Sequence, residues 1–309
     1  MSDSTLKVTV VATVLNEGAG IDALLDSLQA QTRAPDEIII CDAGSSDGTA
    51  PAIAAAAAAD PRIRLIERPG NRSLGRNTAI AAATSPIIAT IDGGCVADES
   101  WLERIVAPFG QGASWVAGFY RVASESAVGD AVGLTLVPVI EEVDSARFLP
   151  SARSMAFTKD AWERVGGFPE HLDYAEDTAF DEALKRDGHV AVFVPDAVVF
   201  WTPPERLSDL MATAYRWGRG DGIAGLRRSS HAKVIATWVA AGVIGVGAAL
   251  TDVRLVPLAV VPLLPAAVAK TRSKSPHAAR PFTRFLLPFA QCSASLASSV
   301  GFLRGWQLR

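Results

Sequence analysis

Ile87 to Cys95 read IIATIDGGC. An apolar, β-branched run of this kind suits a strand buried on both faces of a parallel sheet. It leads without a break into Asp92, Gly93, Gly94 and Cys95. Toward the N-terminus the same pattern recurs. Lys7 to Leu15 (KVTVVATVL) ends in Asn16-Glu17-Gly18, and Glu37 to Cys41 (EIIIC) ends in the turn-rich stretch Asp42 to Thr49 (DAGSSDGT). Arg62 to Ile66 is a further strand. Helices separate them. Ile21 to Gln31 carries Ile21, Leu24, Leu25 and Leu28 on one face. The alanine run Ala52 to Ala59 is built from the best helix former, and Ser73 to Ala83 is the third helix. A helix over Glu99 to Phe109 and a strand over Ser114 to Tyr120 continue the series.

Strands alternating with helices at this spacing predict an α/β domain: a mostly parallel sheet with helices on both faces. Such sheets bind ligands outside the carboxyl ends of their strands. Asn16-Glu17, Asp42 to Asp47 and Asp92 to Cys95 all fall at that edge. One Asp in a strand-to-helix loop is most simply a helix cap. Three acidic clusters at the same edge of one sheet weaken that reading.

Farther along, Val132 to Ile140 is apolar but broken by Pro138, and Ser154 to Phe157 reads as a short strand. Asp160 to Val165 is a short helix, followed by the turn Gly166-Gly167-Phe168-Pro169. Glu176 and Asp177 occupy the first turn of a helix reaching Lys185. His189 to Val194 and Ala197 to Trp201 read as paired short strands around Pro195-Asp196. Arg206 to Arg228 reads as an interfacial helical segment interrupted by glycines.

The chain has 309 residues and a formal charge of -4, which argues against nucleic acid as a partner. Cys41, Cys95 and Cys292 are odd in number and scattered, so neither a disulfide framework nor a zinc site is expected. Met1 to Lys7 lacks an apolar leader core, which places the N-terminal domain in the cytoplasm.

The last third differs. Val234 to Leu250, Leu255 to Ala269 and Phe285 to Leu303 are apolar and uncharged, the second carrying Pro257, Pro262 and Pro265. Their lengths lie near the lower limit for a membrane-spanning helix. Arg227, Arg228 and Lys233 precede the first, and five basic residues from Lys270 to Arg284 precede the third. By the positive-inside rule these basic flanks are cytoplasmic and the first two segments form a hairpin. The expected division is an α/β domain over residues 1–228 and a membrane-associated helical region over 229–309, at the inner or cell membrane.

The motifs VVATVLNE, DAGSSDGT, GRNTA (Gly75 to Ala79), TIDGGC, GGF (Gly166 to Phe168) and ED (Glu176-Asp177) occur in that order. As an ordered set they resemble the family 2 glycosyltransferases with the GT-A, or nucleotide-diphospho-sugar transferase, fold. The resemblance implies an inverting enzyme that moves a sugar from a nucleotide-sugar donor to an acceptor. It sets Asn16, Glu17 and Asp42 against the nucleotide, a task that suits carboxylates because each oxygen accepts hydrogen bonds. Ser45 and Asp47 shape the same loop or only cap it. Arg76 lies near the phosphates or makes a salt bridge, and Gly93 follows Asp92 in the donor site.

Asp92 matches the first Asp of the family's DXD motif, which implies Mg2+ or Mn2+ bridging the diphosphate. The third position here is Gly94, which leaves Asp92 as the lone carboxylate of that motif. One carboxylate with phosphates and waters suffices for magnesium. In the ED motif the resemblance makes Asp177 the general base, beside Glu176. Thr213 to Trp217 (TAYRW) resembles QXXRW with Thr213 replacing Gln, which assigns Arg216 and Trp217 to the acceptor. Arg216 and Arg219 also suit the diphosphate or anionic headgroups. Trp201 and Trp217 suit an acceptor platform or an interfacial anchor, and Arg153 the acceptor or an ion pair. The apolar C-terminal segments make the acceptor a lipid-linked molecule or a glycan in envelope polysaccharide or glycolipid synthesis. The competing reading is a membrane-bound, sugar-nucleotide-binding scaffold without turnover. A dinucleotide dehydrogenase is excluded by the missing G-x-G-x-x-G.

Overall fold

The computed structural model describes residues 6–309. Most of the polar start of the chain, Met1 to Lys7, lies outside the described residues. The elements in order are β1 (Val8–Val14), α1 (Ile21–Gln29), β2 (Glu37–Asp42), α2 (Thr49–Ala59), β3 (Ile63–Glu67), α3 (Arg72–Ala82), β4 (Ile87–Asp92), β5 (Cys95–Ala97), α4 (Trp101–Val106), β6 (Trp115–Val122), α5 (Ala127–Leu136), β7 (Met155–Thr158), α6 (Lys159–Val165), α7 (Glu176–Arg186), β8 (Val192–Trp201), α8 (Leu207–Ala224), α9 (Arg228–Thr251), α10 (Leu264–Lys274) and α11 (Thr283–Gln307).

The chain divides into two compact units. One runs up to Arg121 and resumes over Asp144–Thr202; the other joins Val122–Val143 to Pro203–Arg309.

The first unit holds an eight-stranded sheet in the order β3-β2-β1-β4-β7-β6-β8-β5. Its β3-β2-β1-β4 half is parallel, as the alternating pattern requires. β7 then pairs antiparallel with β4 and β6, and β5 with β8. β1 and β2 are buried along nearly their whole length. The core beneath contains Trp115, Phe157, Phe168 and Phe180, with Phe168 and Phe180 stacked 4.1 Å apart. The paired short strands expected around Pro195 are instead one strand, β8. Pro195 is exposed there, where a missing ladder donor is tolerated.

The second unit is helical. The apolar stretch around Val132 is α5, and it packs in one core with α8 and α11, joined by Leu210, Leu287 and Ala290. Of the glycines in Arg206 to Arg228, Gly218, Gly220 and Gly222 lie inside one helix, and only Gly225, with φ 68°, ends it. α8 is continuous, and its glycines are the points of closest approach to α11. A Cβ on Gly218 would stand 2.0 Å from the Ser298 carbonyl oxygen, and one on Gly222 2.3 Å from that of Phe302. Reciprocally, a Cβ on Gly301 or Gly305 would stand 2.1 Å from the Tyr215 or Arg219 carbonyl. Both helices thus carry small residues at i and i+4, the spacing that lets backbones touch. α8 and α11 belong to one packed core.

α9 and α11 are long and apolar enough to cross a membrane. The middle apolar segment is not one straight helix. A 3-10 stretch over Val253–Leu263 contains Pro257 and Pro262, and the helical course bends by 53° before continuing toward His277.

Candidate active site

The strand ends of the first unit are tied together by their own polar groups. Asn16, just beyond β1, takes a left-handed backbone (φ 56°), a conformation Asn tolerates better than most residues. Its backbone N–H donates to Ser45 Oγ at 2.8 Å, and its Oδ1 accepts the Ser46 N–H at 2.9 Å. Buried Asp42 accepts the N–H groups of Gly44 and Ser45 and the Ser45 hydroxyl. Asp47 accepts the Gly18 and Thr49 N–H groups at 3.0 Å. The Thr49 hydroxyl and these N–H groups hold the Asp47 carboxyl below its usual range. Ser45 and Asp47 therefore brace the loop, as their local reading allowed.

Arg76 is the centre of the cluster. It projects from α3 and is 3% exposed. Nη1 donates to Glu176 Oε1 and Nη2 to Asp92 Oδ1, both at 2.6 Å. Its guanidinium carbon lies 5.4 Å from the Phe168 ring centroid. The GRNTA, TIDGGC, GGF and ED motifs therefore converge on one side chain. The neighbouring Asn77 fixes the GGF turn by donating to the Phe168 carbonyl at 2.8 Å and accepting its N–H at 2.9 Å. The salt bridges of Arg76 are internal: its side chain and that of Glu176 are buried, and Asp92 is partly exposed.

Two carboxylates facing one guanidinium respond in opposite senses. Burial opposes ionisation of Asp92, but Arg76, Arg153 and Arg72 together outweigh it and hold its carboxyl low. Glu176 has a side chain only 5% exposed; burial pushes its carboxyl up, Arg76 opposes this, and Asp177 adds to it. Burial, then the charges of Asp92 and Asp47, push Glu17 up.

Asp177 is half-buried at the start of α7. One oxygen, Oδ1, accepts the Thr178 N–H at 2.7 Å. The residue before the pair, Ala175, is held at φ 65°. A left-handed conformation in a non-glycine residue costs about 1–2 kcal/mol, and such strain clusters at functional sites.

Arg153 and Trp201 are brought together. The Arg153 guanidinium lies 4.5 Å from the Trp201 ring centroid and 5.5 Å from that of Tyr120. Trp201 is opposite Cys95 in the β5–β8 pairing, which sets it beside the turn after Asp92. Tyr120 and Arg72 were not singled out from sequence. Arg72 had a usable signal, since it stands one helical turn before Arg76. Arg216, Trp217 and Arg219 belong to α8 in the second unit.

Among the described residues no group of three or more His, Cys, Asp or Glu is arranged to hold a metal. Gly94 has φ 68°, and its carbonyl accepts the Thr202 N–H, so the third DXD position is spent on the turn into β5. The donor set nevertheless suits a hard cation at one carboxylate. Asp92 keeps a second oxygen beyond the one on Arg76, and the Glu17 carboxylate packs over Gly93. Magnesium takes one or two carboxylates with phosphates and water. Cys95 does not contribute, because burial pushes its thiol up and keeps it protonated.

Residues 9–146 match the family model described as Glycosyl transferase family 2. The chain is 28% identical over 222 residues to the glycosyltransferase AglE of Haloferax volcanii, covering 69% of this chain and 72% of that one. It is 24% identical to the succinoglycan biosynthesis protein ExoA of Rhizobium meliloti, covering 68% of each. It is also 24% identical to the O-antigen chain rhamnosyltransferase RfbN of Salmonella typhimurium, over 63% of this chain and 66% of that one. Among solved structures, the mannosyltransferase PcManGT from Pyrobaculum calidifontis, in complex with GDP-Man and Mn2+, superposes with a TM-score of 0.61 at 20% identity. That match covers 98% of this chain and 89% of the other, and it establishes the shared fold.

Proposed function

We propose that this chain, whose residues 9–146 match the family 2 glycosyltransferase model, moves one sugar, with inversion, from a nucleotide-diphospho-sugar to a hydroxyl of a lipid-linked or glycan acceptor. The names of its relatives, in succinoglycan and O-antigen synthesis, favour the cell envelope as the setting. The observation that carries the reading is the Arg76 clamp, which joins Asp92 on the donor side to the Glu176-Asp177 pair.

In this reading the nucleotide lies along Asn16, Glu17 and Asp42. Asp177 takes the proton of the acceptor hydroxyl as its oxygen attacks the anomeric carbon. The bond from that carbon to the diphosphate breaks on the opposite side, and the nucleoside diphosphate leaves. Arg76 acts as a positioning residue, since both of its terminal nitrogens are engaged. Arg153 sets a positive charge beside Asp92, and Trp201 gives it a flat apolar support. The neighbour's Mn2+ makes a divalent cation at Asp92 part of the proposal. When bound, it would neutralise charge on the leaving diphosphate. The proposed attachment is through α9 and α11 crossing the membrane, with the first unit on the cytoplasmic side.

The test is a screen of detergent-purified protein against nucleotide-sugars, with and without Mg2+ or Mn2+, reading turnover and the anomer formed. The reading expects turnover with inversion. Tight nucleotide binding with no turnover for any donor would favour the scaffold, and retention of configuration would remove Asp177 from its role.

A further inference from the structure

The second unit has an open cleft of about 270 Å³ whose wall includes Asp221, Arg227, His231, Lys270 and Gln291. Two of these groups are buried and incompletely paired. Asp221 is 3% exposed; its Oδ2 accepts from His231 Nε2 at 2.8 Å and from Arg227 at 3.5 Å. Its Oδ1 has no hydrogen-bond partner among the described residues. Gln291 is 6% exposed, and its Nε2 likewise has none. The His231 ring is stacked on Phe302 with centroids 4.2 Å apart, which fixes the carboxylate it holds. A buried acceptor and a buried donor left unmade cost about 1–3 kcal/mol each. Both residues line the same space.

A smaller recess of about 110 Å³ shares Val234, Lys270, Gln291 and Ser295 with this cleft and adds Trp238 and Leu263. The polar chamber thus adjoins a more apolar one, and Arg227 and Lys270 border the first. Water alone would satisfy the polar groups but has no use for the recess.

We propose that the two spaces together hold one membrane phospholipid whose phosphodiester headgroup carries a hydrogen-bond donor, either a hydroxyl or a primary ammonium. The phosphate is held by Lys270, Arg227 and the Gln291 amide N–H. The headgroup donor meets Asp221 Oδ1, and the start of an acyl chain enters the recess. This site rests on the proposal that α9 and α11 cross a membrane, and it is separate from the sugar acceptor.

The experiment uses the full chain, purified in detergent and stripped of lipid. Thermal unfolding is followed with short-chain phosphatidylethanolamine, phosphatidylglycerol, phosphatidylcholine or inorganic phosphate. The first two should raise the melting temperature. Phosphatidylcholine, whose quaternary ammonium has no N–H, and inorganic phosphate should not. Asp221→Asn should erase the preference for phosphatidylethanolamine over phosphatidylcholine, and Gln291→Leu should weaken binding about tenfold, equivalent to 1.4 kcal/mol. Equal shifts with all three lipids, a shift with phosphate alone, no shift with any, or an unchanged preference in Asp221→Asn would overturn the proposal. Flotation of the protein with vesicles tests the membrane reading separately: protein that floats but shows no headgroup preference overturns only the site.

Discussion

In the first unit the large rings of Trp101, Trp115, Phe157, Phe168 and Phe180 are fully buried, and the cation taken inside with them, Arg76, meets two carboxylates. In the second unit the arrangement is closer to the reverse. Val239, Val243, Val246 and Leu250 on α9, with Phe285 and Phe289 on α11, stand exposed. The buried face of α11 is instead rich in Ala, Ser and Gly, including Ala294, Ala297, Ser299, Gly301 and Gly305. The first unit is built as a protein in water is, by hiding apolar area. The second is held by close backbone approach and leaves its large apolar chains outside, as helices packing in lipid do. That contrast is the physical basis for proposing one aqueous catalytic unit and one membrane-embedded unit.

The largest effect that could break the contrast is Arg76→Met. It leaves buried Glu176 and partly buried Asp92 without their shared cation, and breaking a buried ion pair on one side costs about 3–5 kcal/mol. Glu176 already sits above its ordinary 4.5, and the substitution raises it further. Ionised Glu176 then opposes folding, so the variant's deficit should be smaller in acid and grow as pH rises through the folded-state value. Denaturant unfolding at several pH values measures this; a variant as stable as the parent would show that the clamp is not what holds the site.

A second substitution sharpens the description of the helical unit. Gly301→Ala would gain about 1 kcal/mol of helix propensity, but its Cβ meets the Tyr215 carbonyl at 2.1 Å. Overpacking against backbone costs about 1–3 kcal/mol, so the expected result is a lower melting temperature in detergent with nucleotide binding unchanged. A rise would mean that the two helices are not held at their glycines.

The smallest effect concerns the loop after β2. Asp47 lies below its ordinary 3.8 because of the Thr49 hydroxyl and the Gly18 and Thr49 N–H groups. A depressed carboxyl contributes stability above 3.8 and loses it as pH falls through the folded-state value. Asp47→Asn should therefore be less stable than the parent at neutral pH, with the gap closing in acid. A gap independent of pH would deny the carboxylate that role.

Much of the first unit was legible because its signals are local. The apolar runs ending at Leu15, Cys41 and Ile91 mark three parallel strands, and the acidic residues after them land at one edge. What was not legible depends on pairings distant in sequence. Arg153 reaches Trp201 only because β7, β6 and β8 are neighbours in the sheet. Arg76 reads alone as a surface cation and becomes central only when α7 brings Glu176 to it. Pro195 suggested a turn because a proline inside a strand is usually a break, and here it stands at an exposed position. The glycines of α8 read as interruptions when taken singly. Their spacing, matched by Gly301 and Gly305, carried the packing signal.

The central claim is that Asp177 removes the acceptor proton while the rest of the cluster holds the donor. The direct measurement is Asp177→Asn, which keeps an oxygen able to accept the Thr178 N–H, compared with the parent for sugar transfer and for nucleotide affinity in one preparation. The account predicts a loss of transfer of about 10²–10⁴-fold with nucleotide affinity unchanged. Transfer at the parent's rate, or equal loss of transfer and affinity, would contradict it.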